Sequence, residues 1–144
     1  MSEDIKADLL LMGSRTRALL KRTDPWEVRG AYEWVKRAKT RANLREIDDT
    51  RLMTLTPMIA EVREDLNEPL GKSLRRAGVS ELRVRRLLSS ESGLDVVEQL
   101  TRMIRILRRS VGIVDLVETA VFWGDRRRRQ IAQDYFGQAD TDAF

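Results

Sequence analysis

The sequence predicts an all-α protein, a compact helical bundle or pair of bundles of about seven to eight helices. Its 144 residues include only 8 Gly and 3 Pro. Apolar residues recur at helical spacing, and no alternating stretch is long enough for a convincing strand. A chain of this length is most often one domain. We therefore expect one helical domain over 1–136, or two small sub-bundles (1–66 and 67–136), and a flexible tail at 137–144.

The first half of the chain predicts three helices. The first covers about residues 4–22. Asp24 is a suitable N-cap for the second, with Pro25 at the first helical position, where its missing N–H costs nothing. The apolar face of this second helix is expected to carry Trp26, Ala31, Tyr32, Val35 and Ala38. The third helix, within about 52–66, is expected to kink or to begin at Pro57.

Trp34 lies off the apolar stripe of the second helix, near Lys36 and Arg37. Two interpretations remain open for it. Its ring either stacks on a nucleobase or fills a contact between helices or subunits, and packing is the more common use of such a residue.

The second half predicts four or five shorter helices. A helix over 69–77 is ended by Gly78, since glycine favours the left-handed position that follows a helix. Ser80 is a natural cap for the next helix, 81–89. A long helix is expected from about 94 to 110, and two more are expected after the breaks at Gly112 and Gly124.

The composition excludes most catalytic chemistry. The chain has no His and no Cys, which removes His-based acid–base catalysis, thiol chemistry and the usual zinc ligands. No glycine-rich phosphate loop is present. Glu61 and Asp65 share a helix face but lack a third ligand. We therefore expect no enzyme, no cofactor and no metal site.

The start of the sequence is acidic, which is unlike a signal peptide. No apolar run approaches the roughly 18 residues needed to span a bilayer. We expect a cytoplasmic protein without a membrane partner.

The net charge of +4 is small, but it averages over strongly segregated blocks. Residues 15–45 contain ten basic residues and three acids, a net charge of +7. Residues 46–68 carry −5 and residues 72–86 carry +5. Blocks of one sign indicate partners of the opposite sign. Of the 27 basic residues 22 are Arg, which pairs bidentately with phosphate, although a GC-rich genome also enriches Arg.

Two further groups of arginines stand out. Arg102, Arg105 and Arg109 recur on one helix face, where like charges repel unless an anion compensates them. That anion is either a phosphate or a carboxylate of the acidic 46–68 segment. The run 126–129 consists of four arginines, of which at most two can face one partner.

Residues 70–88 resemble a helix-turn-helix superficially, with Gly78 in the turn. In that interpretation the residues that face the major groove of DNA are Glu81, Arg83, Arg85 and Arg86. A close crossing of two short helices, however, needs a small residue four positions before the glycine, where Leu74 stands. A DNA-binding regulator is therefore the alternative hypothesis. A purely structural adaptor, whose arginines pair with acidic protein faces, is a third.

A family resemblance covers most of the chain. Its motifs, in order, are Leu70-Gly71-Lys72 with Leu74, Ser80-Glu81 with Arg83, Leu87-Leu88, Leu100 and Leu107, Phe122-Trp123-Gly124 with Arg126, Arg128 and Gln130, and Asp134-Tyr135-Phe136. Lys21-Arg22, Asp24-Pro25, Tyr32 and Trp34 match more loosely. The chain resembles the small subunit of the type I-E CRISPR Cascade complex, the CasB family.

This resemblance implies a non-catalytic subunit of two small helical bundles, present in two copies beside other Cascade subunits. It implies contacts with the backbones of crRNA and target DNA that stabilise the R-loop. The family's basic positions fall on Lys21, Arg22, Lys72, Arg83, Arg126 and Arg128. From these and the charge blocks the predicted nucleic-acid-binding residues are Lys21, Arg22, Lys72, Arg75, Arg83, Arg86, Arg102, Arg105, Arg126 and Arg128. Asp125 stands where some relatives carry a basic residue.

Overall fold

The fold was analysed in a computed structural model, which describes residues 10–41 and 43–137. Within these ranges the all-α prediction is confirmed. The α-helices are α1 (Ser14–Leu20), α2 (Arg29–Ala38), α3 (Asp49–Ile59), α4 (Leu70–Arg76), α5 (Glu81–Leu88), α6 (Gly93–Ile106), α7 (Ile113–Val121) and α8 (Asp125–Ala132). A 3₁₀ turn (Pro25–Glu27) precedes α2, a π-helical segment (Gln133–Gly137) follows α8, and two short strands, β1 (Glu64–Asp65) and β2 (Ser110–Val111), pair in parallel.

In the described part of the predicted first helix, residues 10–13, 21 and 22 are not α-helical. In the described residues the helix begins at Ser14, because side chains take the carbonyls that an earlier start would use. The carbonyl of Leu10 accepts a hydrogen bond from the indole N–H of Trp34, and that of Met12 accepts one from Arg17. Residues 4–9 of this prediction, and residues 138–144 of the predicted tail, lie outside the described part of the chain.

The apolar face of α2 differs from the predicted one. Ala31, Trp34, Val35 and Ala38 are buried, a set with the i, i+3, i+4, i+7 spacing of one helix face. Trp34 is 0% exposed and its Nε1 lies 2.8 Å from the Leu10 carbonyl oxygen. Packing is therefore the correct interpretation for Trp34, and the alternative interpretation, that its ring stacks on a nucleobase, was wrong.

Pro57 lies inside α3, which continues through it to Ile59. The lost N–H hydrogen bond is tolerated near the end of the helix, where the hydroxyl of the buried Thr56 donates to the Met53 carbonyl at 2.7 Å. Asp48 caps the start of this helix through the Thr50 N–H. The helix therefore does not begin at Pro57, and it ends at Ile59, earlier than the predicted limit near residue 66.

Helix α6 ends four residues earlier than predicted, at Ile106. Arg108 and Arg109 adopt left-handed conformations, with φ of 57° and 61°. The turn they form directs the chain into β2, and the Arg109 carbonyl accepts the N–H groups of Arg63 and Glu64. A two-residue parallel pair has no periodicity to detect, so the sequence did not predict it.

One cluster of buried apolar residues extends from Leu10 to Ile131. Helix α3 is central to it, because it packs against α2 on one side and against α6 and α7 on the other. The boundaries proposed at residues 66 and 136 stay predictions. Helix α4 packs against α8 and the π-helical segment, and Gly71 allows this approach. A Cβ at that position would lie 2.6 Å from the Ile131 carbonyl oxygen.

The left-handed turn generates a stability prediction. Arg108 is exposed and has a positive φ, which costs a non-glycine residue about 1 kcal/mol or more. We expect Arg108→Gly to raise the free energy of unfolding by about 0.5 kcal/mol, after the entropy of glycine in the unfolded chain is subtracted. Urea unfolding measures this change.

Arg102→Gly is the matched control, because Arg102 is equally exposed but lies inside α6. It should lower the unfolding free energy by about 1 kcal/mol. A loss of stability in Arg108→Gly of the same size as in the control would contradict the role assigned to the turn.

Candidate nucleic-acid interface

Three arginines line one small groove between α5 and α6. Arg83 and Arg86 come from α5 and Arg102 from α6, and all three are exposed. The groove has a volume of about 90 Å³ and is completed by Gln99, Met103 and Ile106. No carboxylate is among these lining residues. The structure therefore brings three of the predicted residues together on one surface.

Local sequence determines this arrangement. Ser80 caps α5 by accepting the Arg83 N–H, which fixes where the helix begins. Val84 and Leu87 are buried, so Arg83 and Arg86, one turn apart, flank the buried stripe and remain outside. Arg102 has one weak partner, the exposed Glu98 on its own helix at 3.7 Å, and such a pair contributes little.

Gln99 was not among the predicted site residues. It lies three positions before Arg102 and thus on the same face of α6. An uncharged amide does not appear in a count of charges, so the helical spacing was the only signal for it.

Arg105 and Arg109 bind a carboxylate of the same chain, Glu61. Both bind Glu61, at 2.7 and 2.8 Å, and the Glu61 side chain is only 7% exposed. Burial raises the pKa of Glu61, but hydrogen bonds and charge from the two arginines outweigh it, so the pKa lies below its ordinary value. The anion that compensates the charges of these two arginines is therefore Glu61, a carboxylate of the acidic 46–68 segment. Arg105 keeps more than half of its side chain exposed, and its contact with nucleic acid stays a prediction.

The four arginines of 126–129 separate into two kinds. Arg127 is 12% exposed and pairs with Asp115 at 3.1 Å and Glu118 at 3.0 Å. Arg128 is half-buried, binds Asp125 and the Ser90 carbonyl, and lies 5.2 Å from the centre of the Trp123 ring. Arg126 and Arg129 are exposed. Of the two residues predicted from this run, Arg126 is thus available on the surface, whereas Arg128 is held by contacts within the chain, and the contact of each with nucleic acid stays a prediction.

The other predicted residues lie on separate parts of the surface. Lys21 and Arg22 are exposed just after α1. Lys72 is exposed on α4. Burial raises the pKa of Asp134 above its ordinary value, although the charge of Lys72 opposes this shift. Arg75 is half-buried and donates to the Tyr135 carbonyl at 3.1 Å. The groove between α5 and α6 brings three of the predicted cations, from two helices, together.

The carboxylates considered for metal binding have structural partners instead. Glu61 pairs with arginines, as above, and Asp65 accepts the Ile113 N–H at the start of α7 at 2.9 Å. Asp115 does the same for the Leu70 N–H of α4 at 2.7 Å. Over 10–41 and 43–137, no group of three His, Cys, Asp or Glu residues is placed to hold a metal ion. In the same ranges no helix has the length and apolar character that crossing a bilayer requires.

The helix pair at 70–88 forms as expected, with α4 and α5 joined by a turn in which Gly78 has φ of 73°. Leu74 is fully buried. Arg83 and Arg86 border the groove shared with α6, and Arg85 lies 5.4 Å from the centre of the Phe136 ring. All three arginines are exposed, and the helix-turn-helix regulator stays an alternative hypothesis.

Fold and surface define a small helical protein. Some of its arginines lie together on the surface, and others form ion pairs with carboxylates of the same chain. Residues 16–136 match the family described as CRISPR-associated protein Cse2. The chain belongs to this family, and the resemblance to the type I-E Cascade small subunit is confirmed. A chain in the crystal structure of E. coli Cascade bound to a PAM-containing dsDNA target has the same fold, with a TM-score of 0.65, 16% identity and 95% of each chain covered. Among curated proteins no significant match was found.

The Glu61 cluster generates a prediction on pH. Because the folded pKa of Glu61 is depressed, its contribution to stability is complete above the ordinary carboxyl pKa and is lost as pH falls through the lower folded value. Glu61→Gln should cost roughly 2–3 kcal/mol at neutral pH, less than for a fully buried pair because both arginines keep surface in water. Urea unfolding between pH 7 and pH 3 measures both effects.

Glu98→Gln removes an exposed carboxylate on α6 and serves as the control, with an expected change below about 0.5 kcal/mol. The stability difference between wild type and Glu61→Gln should shrink at the acid end. A difference that is constant across the pH range would mean that Glu61 does not contribute as a charge.

Proposed function

We propose that this Cse2-family chain, as the small subunit of a type I-E Cascade complex, holds nucleic acid by its backbone phosphates and catalyses no reaction. The observation that carries this proposal is the convergence of Arg83, Arg86 and Arg102 on one groove without a lining carboxylate. Guanidinium groups in this position repel one another, and a phosphate that binds between them removes the repulsion. Arginine also pairs with phosphate oxygens bidentately.

The proposed partners are crRNA and target DNA, other Cascade subunits and a second copy of the chain, all in the cytoplasm. The support is the family match together with the fold shared with a chain of E. coli Cascade, a complex solved with a dsDNA target. In such a complex, base pairing with the guide reads the sequence. The strand exchange itself is nearly balanced in free energy, and protein contacts to the backbone shift it towards the R-loop. Cationic side chains without base readout are sufficient for that task.

The chemistry of the carboxylates supports a non-catalytic role. Glu61, Asp65 and Asp115 are engaged in ion pairs or helix caps. None of them is left over as a candidate general base. We propose no cofactor or metal.

Binding through phosphates leads to a specific expectation. Arg83→Ala, Arg86→Ala and Arg102→Ala should each raise the Kd for single-stranded and double-stranded DNA several-fold. Each should also reduce the slope of log Kd against log salt concentration by about one, since one phosphate contact is lost. Fluorescence anisotropy with a labelled oligonucleotide at a series of salt concentrations measures both quantities.

Arg63→Ala is the control, because Arg63 is exposed but lies outside the groove, and it should leave the slope unchanged. Equal slopes for all four variants would refute the groove as a phosphate site. A selection on random duplex DNA that returns one preferred sequence would favour the helix-turn-helix regulator, which reads bases, over the proposed function.

A further inference from the structure

A second surface, distant in sequence from the arginine groove, exposes two large aromatic rings. Trp26 is 46% and Tyr32 48% exposed, although both had been expected on the buried face of α2. Together they line a cavity of about 610 Å³, which is the size of sites that bind small organic molecules. Two exposed rings that share one cavity form a contiguous apolar surface, which is a candidate contact for a partner.

The backbone of Trp26 and the hydroxyl of Tyr32 are held by hydrogen bonds. The 3₁₀ turn positions Trp26, because Asp24 accepts the Trp26 N–H at 3.0 Å and Pro25 restricts the backbone. The hydroxyl of Tyr32 donates to the Trp26 carbonyl at 2.8 Å. The ring centres are 6.2 Å apart with planes inclined by 70°, so the two rings present faces in different directions. A flat partner can stack on either ring without a rearrangement of the backbone.

The surroundings of the rings distinguish between partners. Val35 and Met53, both buried in the core, also line the cavity. Lys39 forms an ion pair with Asp49 at 3.0 Å, which neutralises the charge of this carboxylate. Lys36 and Glu33, both exposed, line the cavity beside the rings. The sequence block 15–45, which contains both rings, carries +7. A flat apolar group attached to an anion fits these features, and an unpaired nucleotide has both.

We propose that Trp26 and Tyr32 form a stacking platform for an unpaired base of single-stranded nucleic acid, with Lys36 close enough to meet the adjoining phosphate. This inference rests on the proposed function and extends it. The arginine groove holds backbone of any kind, whereas the platform requires a base that is free of its complement. Stacking on aromatic rings tolerates any sequence, because every base has a π face.

The test compares three probes on the full-length chain: a 20-nucleotide oligo(dT), an abasic oligonucleotide with the same number of phosphates, and a 20-base-pair duplex. Wild type should bind oligo(dT) more tightly than the abasic strand. Trp26→Ala and Tyr32→Ala should each weaken oligo(dT) binding about tenfold, within the range measured for single base–aromatic stacks. Binding of the abasic strand and of the duplex should change less than twofold.

Trp26→Phe and Tyr32→Phe keep a ring and should retain most of the affinity, which separates stacking from a loss of folding. Phe122→Ala is the control for removal of an exposed aromatic elsewhere, since Phe122 is 57% exposed and outside the cavity. Thermal unfolding by circular dichroism verifies that each variant is folded.

Oligo(dT) affinities of Trp26→Ala and Tyr32→Ala within twofold of wild type would overturn the platform and leave the proposed function intact. If the oligo(dT) affinities are unchanged but the two alanine variants associate more weakly with purified Cascade subunits, the rings contact a protein partner instead. If wild type shows no salt-dependent binding to any probe, the proposed function fails as well.

Discussion

The carboxylate of Asp115 connects three helices. It lies on α7, accepts the first N–H of α4 and pairs with the nearly buried Arg127 of α8. Asp65 completes the arrangement by capping α7 from the end of β1. Removal of Asp115 would leave the first N–H of α4 without its acceptor and Arg127 with Glu118 as its remaining carboxylate, and polar groups that lose partners on burial are costly. The positions of α4, α7 and α8, and hence of much of the second half of the chain, depend on this one group.

A chain with 22 arginines uses them in two ways. Arg109 and Arg127 are turned inward and neutralise the carboxylates on which the fold depends. Arg83, Arg86 and Arg102 border a groove without a lining acid. The net charge conceals this separation, because the inward arginines balance acids of the same chain. The charge available to a partner is therefore greater on particular faces than +4 indicates.

Local rules predicted most helices, because caps and breaks act over a few residues. Ser80 and Gly78 have the roles that their types indicate. Asp24 is a cap as expected, but of a 3₁₀ turn that precedes α2 and not of α2 itself. Contacts between distant segments were not predictable in this way. Trp34 is buried because the Leu10 carbonyl satisfies its indole, across 24 residues. Helical spacing likewise placed Arg102, Arg105 and Arg109 on one face but could not show their partners. Glu61, which is distant in sequence, forms ion pairs with Arg105 and Arg109.

The separation of structural from binding arginines is tested most directly by two measurements on one set of alanine variants. The set consists of Arg109 and Arg127 from the interior, and Arg83, Arg86 and Arg102 from the groove. Unfolding free energy and DNA affinity are measured for each. The interior variants should lose stability and, where folded, keep the wild-type salt slope, while the groove variants should lose affinity and keep stability. Loss of both properties in parallel across all five would contradict the division.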